Sequence, residues 1–102
     1  MITDEIRKIA EVIKNAEPEC EVYLVGDFAL NTETPESHKT FAVVADVPYS
    51  KYDDEILNIG TKINSHLWDY DDVEILVARK ADDPEARDKS IKKLITEHGI
   101  RL

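Results

Sequence analysis

Three short apolar runs, each broken off by turn-forming residues and separated by stretches of helical periodicity, constrain this chain more than any other feature. Val22-Tyr23-Leu24-Val25 ends at Gly26, Thr40 to Val47 is rich in valine and ends at Pro48, and Val73 to Ala78 follows a crowd of aspartates. Runs this apolar read as strands covered on both faces. The intervening segments supply the cover. From about Asp4 to Ala16, Ile6, Ile9, Ala10, Ile13 and Ala16 recur at helical spacing, with Thr3 placed as the cap and Pro18 as the stop. Tyr52, Ile56, Ile59, Ile63 and Leu67 form a second stripe behind Ser50-Lys51-Tyr52-Asp53, an acidic form of the capping box. Ile91, Leu94, Ile95 and His98 form a third, with Asp83-Pro84 as its expected start and Gly99 as its expected close.

The predicted order is therefore α-β-β-α-β-α. A strand-helix-strand unit from Thr40 to Ala78 requires its two strands to run parallel through a right-handed crossover. The connection between the first two strands is short enough for an antiparallel pair. The expected fold class is α+β (α/β), a small mixed sheet packed with helices, as one domain over residues 1–102.

Charge narrows the partners. The chain carries 13 Lys and Arg against 22 Asp and Glu, a net of −9. Nucleic-acid binding depends on neutralising phosphates, so no nucleic-acid partner is expected. The imbalance is local: residues 1–78 hold 6 basic and 17 acidic side chains, and residues 79–102 hold 7 and 5. A basic partner is drawn to the first region and an anion to the second. Arg87, Lys89, Lys92 and Lys93 are interspersed with acids and read as a solvated helix face.

No apolar run approaches the ~18–20 residues that span a bilayer, so no membrane role is expected. The first 14 residues lack the layout of a secretory signal, and the single Cys20 fits a reducing compartment; the expected location is cytoplasmic. With Glu19 and Glu21 beside it, Cys20 reads as a half-buried structural thiol rather than a nucleophile.

The element order, together with Gly26-Asp27 after the first strand, Pro35-Glu36-Ser37 in the following loop and His38-Lys39-Thr40 leading into Phe41-Ala42-Val43-Val44, resembles the minimal nucleotidyltransferase core of the DNA polymerase beta superfamily. That family places a Gly-Ser pair after its first strand, Asp-x-Asp at the start of its second and another carboxylate on its third. The carboxylates hold magnesium ions, which bind the triphosphate and activate the attacking hydroxyl. The resemblance carries Gly26 onto the glycine, Asp27 onto the serine, His38 and Thr40 onto the two aspartates and Glu74 onto the third carboxylate.

The replacements work against the family's reaction. Magnesium prefers hard oxygen ligands. His38 and Thr40 remove two negative charges, and Asp27 sets one where triphosphate oxygens would come. The resemblance thus implies a nucleotidyltransferase-like fold with a degenerate site, acting through a protein partner or a retained ligand pocket. The alternative is a nucleotidyltransferase with an altered ligand set, in which Asp27, His38 and Glu74 bind Mg2+ or a transition metal. Minimal members of the family often work beside a small helical partner, sometimes as antitoxin and toxin.

Trp68-Asp69-Tyr70-Asp71-Asp72 is the most unusual local composition. It lacks the spacing and glycine of a calcium loop. It reads as a solvated acidic loop with Trp68 and Tyr70 packed beneath it, or as an interface anchored by those two aromatics. His66 and His98 read as histidines at the edge of the core.

Overall fold

A computed structural model describes residues 2–102. Its elements are α1 (Asp4–Ala16), β1 (Glu21–Val25), α2 (Asp27–Leu30), β2 (Lys39–Ala45), α3 (Asp54–Ser65), β3 (Val73–Arg79), α4 (Lys89–His98) and β4 (Ile100–Arg101). They build one four-stranded sheet in the order β3-β2-β1-β4. β1 runs antiparallel to β2, and β2 runs parallel to β3, as the apolar runs and the crossover require. The fold is α+β, a small mixed sheet packed with helices.

Register fixes the two faces. Val22 stands opposite Val43 and Leu24 opposite Phe41, while Phe41 and Val43 in turn stand beside Ile75 and Val77. These side chains share one face, where they meet Ile6, Ile9 and Ile13 of α1 and Ile63 of α3. Phe41, Leu24, Val43 and the four isoleucines are fully enclosed. Each such side chain contributes about 1.5–3 kcal/mol of burial, so this face holds the main core. The opposite face buries Val25, Ala42 and Ala78, small enough for α4 to pack close with its half-buried Ile91, Leu94 and Ile95.

Helix α1 starts as expected: the Thr3 hydroxyl accepts the amide of Ile6 at 3.2 Å. Two other helix starts are corrected. The Ser50 hydroxyl accepts the amide of Tyr52, a local turn that competes with a capping box, and α3 begins only at Asp54. Tyr52 accordingly lies outside the helix and is exposed. Asp83 does not start α4 either. Its carboxylate accepts the amides of Glu85 and Arg87, and Ala86 sits at φ +54°, outside helical angles. The helix begins six residues later at Lys89.

Two elements fall below the length that periodicity reveals, α2 with four residues and β4 with two. β4 pairs antiparallel with β1 and covers its outer edge. Gly99 closes α4 with an extended backbone, at φ −64° and ψ 136°. A Cβ there would lie 2.8 Å from the Cα and the carbonyl oxygen of Ile95, so close approach is what requires glycine. No helix among the described residues is long and apolar enough to cross a membrane.

Candidate functional site

Because β1 is antiparallel to the other two long strands, its last residues and the first residues of β2 and β3 meet at one end of the sheet. Gly26, Asp27, Thr34, Ser37, His38, Thr40 and Glu74, with Glu36, line an open cleft of about 350 Å3 there. Asp27, His38, Thr40 and Glu74 are thereby brought together from three separate segments.

Gly26 turns the chain out of β1 at φ +77°, a conformation that side chains rarely adopt. Its amide donates to Nε2 of His98 at 2.9 Å, so α4 holds the turn from below. Nε2 accepts here, which places the ring proton of the neutral imidazole on Nδ1. The apolar stripe of the last helix gives His98 an edge-of-core position. It is half-buried, but 72 positions separate the pair and no local pattern announces the contact.

The carboxylates of the cleft are tied by hydroxyls. Asp27 accepts from Ser37 at 2.8 Å and from Thr32 at 3.2 Å. Thr40 donates to Glu74 at 3.1 Å, across the β2–β3 ladder where the two residues are register partners. Among the described residues no three His, Cys, Asp or Glu side chains group so as to hold a metal ion. Asp27, His38 and Glu74 share the cleft, and Asp27 and Glu74 each accept from a hydroxyl there. Ser37 and Thr34 also close the loop, with the Ser37 oxygen accepting the amide of Thr34 at 2.9 Å. Ser37 lies within the Pro35-Glu36-Ser37 segment, the signal that points to it.

Trp68 and Tyr70 do not line this cleft, and they part company. Tyr70 packs against the core, whereas Trp68 is 84% exposed and so is not packed beneath its loop. The loop is hung on the first residue of β2: the Lys39 amide donates to the Asp72 carbonyl at 2.7 Å and its ammonium to the Asp71 carbonyl at 3.0 Å. Asp69, Asp71, Asp72 and Trp68 thus stand at the cleft end of the sheet. His66 is an exposed cap at the end of α3.

The opposite end of the sheet is built differently. Arg79, 3% exposed, donates from Nε to the Pro48 carbonyl and from Nη2 to the Tyr52 carbonyl, and its amide donates to Asp88. Arg87 donates to the carbonyls of Ser50 and Lys51 and to the carboxylates of Asp53 and Asp83. Its guanidinium holds the Asp83 carboxyl below the usual carboxylate range. Arg87 is thus a strap on the loop after β2, not part of a solvated helix face. Cys20 is half-buried, and burial, followed by Glu17 and Glu19, pushes its thiol up, as a structural cysteine requires.

No protein-family model matches the chain, and no curated protein is similar to it in sequence. Among solved structures it is similar to a chain in the crystal structure of a toxin-antitoxin with AMP-PNP. That likeness has a TM-score of 0.63 at 20% identity and covers 97% of this chain and 72% of the other. The likeness is one of fold.

Proposed function

We propose that this chain is a single nucleotidyltransferase-like domain that has lost the transfer reaction and works by binding a protein partner. The observation that carries this reading is the content of the cleft. The positions that the resemblance gives to a pair of aspartates hold His38 and Thr40, and the Thr40 hydroxyl spends its proton on Glu74. That leaves Glu74 without the two neighbouring carboxylates that the resemblance calls for, while Asp27, in the place of a serine, repels phosphate oxygens. The partner half of the reading is supported by the toxin-antitoxin to which the fold is similar, and by the exposed Trp68 within an acidic loop at the same sheet end. Acidic charge speeds the approach of a basic partner and an aromatic anchor slows its departure.

A second reading, a retained nucleotide pocket, is favoured by the AMP-PNP of that similar structure and by a cleft volume within the range of small-molecule sites. Calorimetric titration of AMP-PNP, with and without magnesium, separates the two. The degenerate reading predicts no heat with the natural chain and weak, magnesium-dependent binding in the variant combining Asp27→Ser, His38→Asp and Thr40→Asp. Magnesium-dependent binding to the natural chain, lost in Glu74→Ala, would overturn it in favour of the retained pocket.

A further inference from the structure

The two edges of the sheet are unequal. β4 closes one side with a two-residue strand. β3, with seven residues, forms the other and, among the described residues, has no strand beyond it. Edge strands are normally protected by prolines, bulges, brevity or a charge at mid-strand. β3 has none of these between Ile75 and Ala78: its register with β2 is unbroken, and its charges, Glu74 and Arg79, stand near its ends.

The direction of its backbone groups follows from two contacts. The Lys80 amide faces β2, where it donates to the Ala45 carbonyl, and the Arg79 amide faces outward, to Asp88 of the α4 cap. Backbone groups alternate along a strand, so the amides and carbonyls of Ile75 and Val77 also face outward. A shallow groove of about 360 Å3 runs beside them, lined by Leu57 and Gly60 of α3, Ile75, Leu76 and Val77 of β3, and Ile91 of α4. Leu57 is 64% exposed there.

We propose that this edge pairs with the same edge of a second copy, antiparallel about a twofold axis through Leu76. The strand is complementary to itself in that arrangement. Ile75 of each copy faces Val77 of the other, and both pairs exchange amide and carbonyl bonds. Leu76 meets Leu76, and Leu57 and Ile91 cover the groove from each side. Glu74 lies diagonal to Lys80 of the second copy, twice over. In the free chain Lys80 stands 3.6 Å from Glu21 and Glu74 accepts from Thr40, and both side chains are exposed enough to exchange those partners for each other across the seam. Asp88 already holds the Arg79 amide, so the pairing stops there. The interface is apolar while each copy carries a net charge of −9, so the two copies repel at long range.

Sedimentation equilibrium of the full chain over a concentration series, at low and high salt, tests this. The expected result is a monomer–dimer equilibrium that tightens with salt, with Leu57→Lys raising the dissociation constant at least tenfold and Lys80→Glu weakening it several-fold. Both positions are exposed, so the fold should survive and circular dichroism checks it. Amide exchange gives the second readout: Ile75 and Val77 should be protected in concentrated samples and exposed on dilution, while Leu76 and Ala78, bonded to β2, stay slow throughout. A monomer at every concentration, or a dimer in which Ile75 and Val77 exchange freely, overturns the proposal. Protection of those two amides by a different protein, with no dimer formed, overturns it in favour of a partner's strand.

Discussion

The two ends of the central strands use polar residues in opposite ways. At the ends of β2 and β3, the guanidinium of Arg79 is enclosed and its donors go to the Pro48 and Tyr52 carbonyls. Arg87 straps the same loop through Ser50, Lys51 and Asp53. At their starts, Asp27, His38 and Glu74 are exposed and Ser37 and Thr40 half-buried, and the bonds of Ser37 to Asp27 and of Thr40 to Glu74 are hydroxyl contacts open to water. Buried donors with fixed carbonyl partners are costly to disturb, whereas exposed hydroxyl bonds trade readily with solvent. The comparison teaches where this fold can change its chemistry: side chains at the open end can be exchanged without loss of the fold, because the stability lies in the core and in the arginine straps.

The sharpest way to break that contrast is at Arg79. Arg79→Ala leaves the Pro48 and Tyr52 carbonyls unpaired and should destabilise the protein by about 3 kcal/mol in denaturant melts. Thr40→Val at the cleft should cost no more than about 1 kcal/mol. Equal losses at the two positions would mean that the cleft is a structural element and not an open site.

A smaller effect is expected at the acidic loop, and it is one of rate. Changing Asp69, Asp71 and Asp72 to Asn should slow association with a basic protein partner several-fold, and high salt should abolish the difference. Trp68→Ala should speed dissociation while shifting stability by under about 0.5 kcal/mol, since the ring is 84% exposed. A partner affinity unchanged in the triple Asn variant, with the fold intact, rules the loop out as the docking surface.

How legible each end was follows from the range of its interactions. The strands and their directions could be read because Val22–Val25, Thr40–Val47 and Val73–Ala78 are long enough for hydrophobic pattern to speak. The meeting of Asp27, His38, Thr40 and Glu74 in one cleft is what the family resemblance implies, since it carries all four onto strand ends. Tertiary pairings could not be read. Gly26 with His98 and Arg87 with Ser50 join segments far apart, and nothing local marks them. Asp83-Pro84 misled for another reason: the same residues suit a helix start and an Asp-capped turn, and Arg87 favours the turn by engaging the Asp83 carboxylate. Trp68 misled because an aromatic residue beside a buried Leu67 reads as core, while here the chain turns its ring to solvent.

Transfer of labelled nucleotide tests the central claim most directly. Incubated with radiolabelled nucleoside triphosphates and magnesium or manganese, in the presence of candidate protein and RNA acceptors, the natural chain should transfer no nucleotide under the proposed reading, in which His38 and Thr40 stand where the resemblance calls for aspartates. Robust transfer by the natural chain, abolished by Glu74→Ala with the fold intact, would contradict the account and make this cleft an active site with an altered ligand set.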